Sequence, residues 1–491
     1  MRLTPSLCLA IALAMPLALR AQCSTPQGNA LLSIGGLPYP GSSLVFSVAA
    51  TPGLPLALAF DTGAGPMSFP GGGTICLGPT ASFLTSLFGP FMLVPQTGVW
   101  SMNVAIPNDL ALVGSTFHFQ AGVVDATAPN GKIAFSNGVA LTIAPLPSYS
   151  VVFYDGFETN PPQGPWTATN GLWGAFVPTG GPGAFDGVKC ATPSPAGSYP
   201  ACGVDTTFQS QIFALPTVAP GNRILLRYQV WFLLQDGVDS VHAMIMPNAQ
   251  APGASFQFLP GASMTGDCGG VWTQAGADLT AFAGQFVRLG YRLIANDCCC
   301  SGTGAFVDEV KVVVTGPPQI GLNENWDSPA GMGIEWTVSN GLWEVGTPPT
   351  SVPAGNTLPP QPWSGSRVAG TLLGLDYPAC GADTQLVSPP FVVPALAPGQ
   401  LVNNLYFHYW LSCQTGVDGG SVQYSTDGGT SWNPLEGGYD QSTGWVFTSV
   451  PLWDAGHVPL AGQTIKLAFF FISNDCCCGG AGWFLDDIFV Q

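Results

Sequence analysis

The chain has 491 residues and a formal net charge of −17 at pH 7, and only 8% of its residues are charged. Phosphate backbones and anionic lipids repel such an acidic surface, which argues against nucleic acid and anionic membranes as partners. Hydrophobic residues make up 46% of the sequence, so packed cores are expected rather than a disordered chain. With 64 glycines and 46 prolines, the composition favours short strands joined by many turns.

The N-terminus has the pattern of a secretory signal peptide, predicted to span residues 1–21. Arg2 precedes an apolar run from Leu7 to Leu19, and the small residue Ala21 marks the expected cleavage site. No later stretch reaches about 18 consecutive apolar residues, so no membrane span is predicted. We therefore expect a secreted or cell-surface protein whose cysteines form disulfides.

Residues 22–148 are predicted to form a small β-sandwich or barrel. Short apolar runs at 44–48 and 116–124 are separated by many Gly and Pro turn signals. Cys23 and Cys76 are the only cysteines of this module and are expected to pair.

The Asp61-Thr62-Gly63 tripeptide allows two interpretations. It matches the turn of aspartic peptidases, in which two carboxylates share one proton. That chemistry needs a second copy, and the sequence contains no other Asp-Thr-Gly or Asp-Ser-Gly. We favour the alternative, a β-turn in which the aspartate caps the turn and the glycine supplies a positive φ angle.

Residues 149–317 and 318–491 are two copies of one pattern. The motif Trp-Thr-x-x-Asn-Gly-Leu-Trp occurs at 166–173 and again at 336–343, and a triple cysteine lies near the end of both copies. Long alternating strands run through both, and about 170 residues per copy suits a jelly roll better than an immunoglobulin sandwich. The predicted fold class is all-β, with a small N-terminal β-sandwich or barrel followed by two tandem β-sandwich jelly rolls.

The triple cysteines at 298–300 and 476–478 are expected to pair with distant partners. Neighbouring Cα atoms lie about 3.8 Å apart, whereas disulfides prefer about 4.4–6.8 Å. Cys202 and Cys380 occupy equivalent positions, and each is expected to bridge to its own triple. Six cysteines in the middle repeat permit three bridges, whereas five in the last repeat leave one thiol over.

Several motifs of the repeats are shared with a known kind of module. Phe157-Glu158 and Trp326-Asp327 open the copies, 425–432 reads Ser-Thr-Asp-Gly-Gly-Thr-Ser-Trp, and 482–488 reads Gly-Trp-Phe-Leu-Asp-Asp-Ile. These segments resemble MAM-like jelly-roll modules, which occur in exported bacterial proteins, including the tail of immune-inhibitor-type metallopeptidases. The resemblance implies a jelly roll and, as in related folds, a structural calcium ion between the first and last strands. The middle copy lacks the Ser-Thr-Asp-Gly-Gly hairpin.

Two aspartates lie in apolar closing strands. With a period of two, Asp486 shares a face with Phe484, Ile488 and Val490, and Asp308 is its counterpart. A carboxylate in apolar surroundings needs a charge partner, hydrogen bonds or a metal, and Ca²⁺ prefers oxygen ligands. Together with the resemblance, this predicts Ca²⁺ held by Glu158 with Asp308 and by Asp327 with Asp486. The alternative is a carboxylate that is hydrogen-bonded to backbone amides or exposed at a strand end.

No catalytic residue is predicted. The four histidines are scattered without a His-Glu-x-x-His motif, and no Gly-x-Ser-x-Gly elbow occurs. Asp486 and Asp487 are expected on opposite faces of a strand, where they cannot flank one glycosidic bond.

Four tryptophans lie among Gly, Ser and Asn, where rings can stack on sugars, although core burial is commoner. They are Trp363, Trp432, Trp445 and Trp453. The tryptophans expected in the cores are Trp166, Trp173, Trp336 and Trp343. The sequence therefore favours an exported, calcium-stabilised, non-catalytic protein that binds an extracellular glycan or a cell-surface protein. The rival hypotheses are a secreted glycosidase or aspartic-type peptidase and a structural matrix component, and no oligomeric state is indicated.

Overall fold

β-Strands dominate the computed structural model of this chain. The residues it describes are 26–36, 43–68, 73–83, 92–96, 98–107, 109–143, 149–158, 166–200, 203–295, 302–327, 332–378, 382–396, 400–473 and 479–491. Within them the only helical turns are 3₁₀ turns at Leu110–Leu112 and Thr280–Phe282. None of these described segments holds a helix long and apolar enough to cross a membrane. The predicted signal peptide and both triple cysteines lie outside the described residues.

The N-terminal module has two sheets. Its described strands are β1 (Leu31–Gly36), β2 (Ser43–Ala49), β3 (Pro55–Asp61), β4 (Ala64–Ser68), β5 (Thr74–Leu77), β6 (Ser82–Phe83), β7 (Met92–Leu93), β8 (Val99–Ala105), β9 (Thr116–Val124), β10 (Ile133–Phe135) and β11 (Val139–Thr142). One sheet has the order β1-β2-β8 and the other β10-β9-β3-β6, and β4 pairs with β5 outside both. Alternate residues such as Phe46, Leu58 and Phe119 enter one core, which confirms the predicted sandwich.

The middle repeat is a two-sheet sandwich. Its described strands are β12 (Ser150–Asp155), β13 (Thr167–Ala168), β14 (Gly174–Phe176), β15 (Cys190–Thr192), β16 (Val204–Gln209), β17 (Phe213–Ala214), β18 (Arg223–Leu233), β19 (Ser240–Met246), β20 (Gln257–Met264), β21 (Thr273–Asp278), β22 (Phe286–Ala295) and β23 (Gly304–Thr315). The sheet orders are β14-β15-β23-β18-β21 and β13-β16-β22-β19-β20.

The last repeat has the same plan. Its described strands are β24 (Gln319–Ile320), β25 (Asn323–Glu324), β26 (Thr337–Ser339), β27 (Trp343–Gly346), β28 (Val368–Thr371), β29 (Ala382–Val387), β30 (Phe391–Val392), β31 (Asn404–Ser412), β32 (Gly419–Ser425), β33 (Asn433–Tyr439), β34 (Val446–Pro451), β35 (Thr464–Ser473) and β36 (Gly482–Val490). The order β27-β28-β36-β31-β34 repeats that of β14-β15-β23-β18-β21. The prediction of two tandem jelly rolls is confirmed.

A β-bulge interrupts the closing strand of each repeat. The register shifts between Arg227 and Gln229 opposite β23, and between Tyr406 and His408 opposite β36. Asp487 has φ +47°, a left-handed conformation that is uncommon for a residue with a side chain. An extra residue in one strand reverses which side chains face the core. The simple alternation predicted for the closing strands is therefore wrong.

The two repeats form one compact unit, and the N-terminal module with 158–160 and 186–189 forms another. Within the unit of repeats, the outer face of β18 and β21 packs on 332–336. Arg227 Nε donates to the Ile334 carbonyl at 2.6 Å, and Gln274 Nε2 donates to the Gly333 and Trp336 carbonyls at 2.7 and 2.8 Å. These contacts fix the middle repeat against the last one.

Candidate functional site

One outer face of the last repeat carries a row of aromatic rings. Alternation along β31 sends Leu405 and Phe407 into the core and leaves the residues between them on the other side of the sheet. We define the aromatic face as the five outer side chains Trp363, Tyr406, His408, Phe447 and Phe489. The sequence alternation in β31 could have placed Tyr406 and His408 on one outer face, but neither was predicted as a site residue.

The rings of the aromatic face stack on one another across neighbouring strands. Ring centroids lie 4.4 Å apart for Trp363 and His408, 5.0 Å for His408 and Phe447, and 5.0 Å for Tyr406 and Phe489. Trp363 and Phe447 are 53% and 54% exposed. These two are the exposed rings of the face, and Trp363 is the larger surface that a ligand can contact.

Three acidic residues hold the loop that carries Trp363: the predicted Asp327 and Asp486, and Asp487, which was not predicted as a site residue. Ser364 N–H donates to Asp486 Oδ2 at 3.0 Å, and the Ser364 hydroxyl donates to Asp487 Oδ1 at 2.8 Å. Ser366 N–H donates to Asp327 Oδ1 at 2.8 Å. The structure thus brings Asp327 and Asp486 to one loop, where both accept backbone N–H groups.

The predicted surroundings of Asp486 need correction. Trp483 and Leu485 face the main core before the bulge, and Ile488 and Val490 face it after the bulge. Phe484, in contrast, packs in a separate outer cluster with Trp410 and Trp445. Asp486 therefore does not share a face with Ile488 and Val490.

The prediction that Asp486 and Asp487 point to opposite faces is wrong for the same reason. The left-handed backbone at Asp487 turns both carboxylates toward Ser364. Burial raises the pKa of Asp486 to about 6, and the charge of Asp487 adds to the rise, whereas the Ser364 and Asp487 N–H groups oppose it. Asp486 is fully buried, so it cannot reach a substrate as a catalytic acid.

The equivalent carboxylates of the middle repeat also accept backbone N–H groups. Glu158 Oε1 accepts from Val188 and Lys189 at 2.7 Å each, and burial raises the pKa of Glu158 to about 7. Asp308 accepts from Phe185 at 3.0 Å and from Glu309 at 2.8 Å. These hydrogen bonds match the alternative to calcium considered for the sequence.

Calcium binding stays a prediction. Across the described part of the chain, no group of three or more His, Cys, Asp or Glu side chains is arranged to hold a metal ion. Ca²⁺ takes about 6–8 oxygen ligands. In the last repeat, two carboxylates and the backbone carbonyls of loop 363–366 are the oxygens that would have to supply them.

The sugar-stacking tryptophans differ in how far they are exposed. Trp363 is exposed, whereas Trp445 is half-buried and donates from Nε1 to the Gln361 carbonyl at 2.9 Å. Trp432 and Trp453 are also half-buried. Trp173, Trp336 and Trp343 are buried and Trp166 packs half-buried against the core, as predicted.

Asp61 behaves as a turn residue. Its Oδ1 accepts from Gly63 N–H at 3.0 Å and from the Thr80 hydroxyl at 2.7 Å, and these bonds lower its pKa. The expected positive φ at Gly63 is absent, so that detail of the predicted turn is wrong.

Among the described cysteines, Cys76 is disulfide-bonded. Its predicted partner Cys23 lies outside the described residues, as do Cys202 and Cys380, so those pairings stay predictions. Cys268 and Cys413 are buried thiols, and burial raises both pKa values to about 12. Cys268, whose sulfur accepts from Phe232 N–H at 3.2 Å, therefore does not take part in the three bridges that six cysteines would permit.

Comparison with known proteins gives structural neighbours only. No family model and no curated protein matches the sequence. A tandem pair of CBM22 domains from Paenibacillus barcinonensis is 12% identical and covers 70% of this chain and 97% of its own, with a TM-score of 0.23.

Two further structures extend this comparison. A cleaved adhesin domain of Lys-gingipain from Porphyromonas gingivalis is 18% identical and covers 35% of this chain and 97% of its own, with a TM-score of 0.23. PNGF-II is 8% identical and covers 94% and 98%, with a TM-score of 0.19. At these identities and TM-scores the similarity assigns neither a family nor a ligand to this chain.

Proposed function

We propose that this protein is an exported, non-catalytic glycan-binding protein that uses the aromatic face of its last repeat. The observation that supports this most is Trp363, a large ring left 53% exposed on a loop that three carboxylates hold in place. The apolar C–H face of a sugar packs on such a ring, and a pre-positioned ring loses little entropy on binding.

The sequence supplies the other parts of this proposal. Export rests on the N-terminal signal pattern, and membership of the MAM-like modules rests on the shared motifs. Calcium is proposed to bind at the loop that carries Trp363, where it would brace the loop further. A non-catalytic role is supported by the burial of Asp486 and by the turn geometry of Asp61.

Substitution of Trp363 tests the proposal directly. The mature protein is mixed with a panel of insoluble polysaccharides and oligosaccharide arrays, and bound protein is measured for wild type and Trp363→Ala. We expect binding to a subset of glycans and a loss of about tenfold for the variant, since a ring contact contributes about 1–1.5 kcal/mol.

The matched control is Phe185→Ala, an exposed ring at the equivalent position of the middle repeat. It should bind like wild type. Equal binding by Trp363→Ala and wild type, or no glycan retained by wild type, would contradict the proposal.

A further inference from the structure

A polar cleft of about 420 Å³ lies between the two repeats. It opens between β19 and β20 of the middle repeat and β26 and β29 of the last, which belong to the sheets opposite the aromatic face. Its volume falls within the range of small-molecule sites, about 300–1,000 Å³. The residues that carry the argument are Ser240, His242, Ser263, Asn340 and Asp383.

Asn340 fixes the walls of the cleft. Its Oδ1 accepts from Thr265 N–H in the middle repeat, and its Nδ2 donates to the Asp383 carbonyl in the last, both at 2.9 Å. Its backbone has φ +58°, a conformation that costs energy and persists where the surrounding contacts demand it. The cleft is therefore formed before any ligand arrives.

Two serines flank one imidazole in the cleft. Ser240 Oγ lies 2.8 Å from His242 Nε2, and Ser263 Oγ lies 2.7 Å from His242 Nδ1. A neutral imidazole donates from one nitrogen and accepts at the other. One serine therefore accepts from the ring and keeps its own O–H for a ligand, while the other donates to the ring and keeps oxygen lone pairs. Such a pair suits a hydroxyl group, which both donates and accepts.

The charges around the cleft disfavour anions. Burial lowers the pKa of His242, and Arg292 lowers it further, which favours the neutral ring. Asp383 adds a carboxylate that can accept from hydroxyl groups. A negatively charged ligand would meet this carboxylate without a cationic partner from His242.

An exposed ring adjoins the cleft. Phe258 is 50% exposed, and its centroid lies 4.5 Å from that of His242. The Arg292 guanidinium lies 5.8 Å from the same ring. An aromatic ring beside hydroxyl-matched polar groups can contact the C–H face of a sugar while its hydroxyls enter the cleft.

We propose that the cleft between the repeats is a second binding site, which takes an uncharged, hydroxyl-rich saccharide unit. Its residues belong to both repeats, so it exists only in the tandem arrangement. It shares no residue with the aromatic face and is independent of the function proposed for that face.

The test uses the mature Trp363→Ala protein, which lacks the exposed ring of the aromatic face. Neutral hexoses and disaccharides are titrated while the His242 ring resonances are followed by NMR, with glucuronate as the anionic comparison. We expect saturable shifts of His242 with at least one neutral sugar and none with glucuronate. His242→Ala should weaken binding at least tenfold, measured by saturation transfer.

Ser263→Ala and Asp383→Asn alter exposed side chains and should also weaken binding, which keeps the test valid if His242→Ala misfolds. Gln250→Ala, in a separate cavity, is the control and should bind normally. Absence of a His242 response to every neutral sugar, or binding unaffected by the cleft variants, would overturn the proposal. Because the background lacks Trp363, neither result depends on glycan binding at the aromatic face.

Discussion

The same sheet face has opposite characters in the two repeats. When the strand-pairing registers of the two repeats are aligned, four outward positions correspond. The pairs, with the middle repeat first, are Arg227 and Tyr406, Gln229 and His408, Gln274 and Phe447, and Lys311 and Phe489. In the middle repeat these positions are polar, and two of them donate to carbonyls of 333–336. In the last repeat the same positions are aromatic and, together with Trp363, form the aromatic face.

This difference shows that the fold depends on the inward residues, whereas the use of each sheet face depends on the outward ones. Inward residues keep the sandwich intact in both copies, whereas outward residues are free to change because no core depends on them. The middle repeat uses its face for the tandem interface, and the last repeat leaves its face open. Exchanging outward residues should therefore weaken the contact between the repeats when the middle repeat is changed, and ligand binding when the last repeat is changed.

The largest loss of unfolding free energy is expected for Arg227→Ala. The side chain is 5% exposed and donates to the Leu226, Ile334 and Glu335 carbonyls. Its loss leaves buried acceptors unsatisfied and should cost about 2–3 kcal/mol of unfolding free energy. Urea unfolding of the mature protein, followed by tryptophan fluorescence, measures this.

Tyr406→Ala is the matched control for Arg227→Ala, since it removes the counterpart from the open face. It should change the unfolding free energy by less than about 1 kcal/mol, as expected for a half-exposed side chain. An equal loss of unfolding free energy in the two variants would contradict a role for the Arg227 face in holding the two repeats together.

The second effect concerns ligand binding. Phe447→Gln gives the last repeat the residue that Gln274 supplies in the middle one. The variant removes a ring that contacts both His408 and Tyr406 and should weaken glycan binding about three- to tenfold. Retention on the polysaccharide that wild type binds is the measurement, and Phe286→Gln, an exposed ring of the other middle sheet, is the control. Unchanged retention would limit the ligand contact to Trp363.

Only part of this structure could be predicted from the sequence. The repeat and the fold class could be recognised because alternation and matched motifs depend on local sequence. The bulge could not be recognised, since Asp486-Asp487 gives no signal that the register shifts there, and one extra residue reverses the faces. The aromatic face was missed because Tyr406, His408 and Phe447 meet only when strands distant in sequence pair.

The cleft between the repeats lay beyond sequence reasoning for a similar reason. Ser240 lies two residues before His242 on β19, but Ser263 lies on β20 and meets the imidazole only when these strands pair. The Asn340 bridge depends on how one repeat packs on the other, which no periodicity encodes.

The smallest expected effect is the change in unfolding free energy that Asp486 causes as pH or calcium concentration changes. Burial raises the pKa of Asp486 from 3.8 to about 6, so between these values the folded state binds more protons than the unfolded state. The Asp486 contribution to stability is therefore largest below about pH 4 and is lost as pH rises through 6. In EDTA, Asp486→Asn should flatten this part of the urea-unfolding profile by about 1 kcal/mol, because the N–H groups of Ser364 and Asp487 favour the ionised carboxylate and offset part of the cost of its burial.

Bound calcium should reverse the pH dependence of the unfolding free energy that Asp486 causes. A bound cation favours the ionised carboxylate, so adding Ca²⁺ at pH 7 should stabilise wild type and leave Asp486→Asn unchanged. Asp308→Asn is the matched variant of the middle repeat and shows whether calcium acts in one copy or both. Equal unfolding midpoints in Ca²⁺ and EDTA would reject calcium and leave Ser364 and its backbone amide as the partners of these carboxylates, so that hydrogen bonds alone hold Trp363 in place.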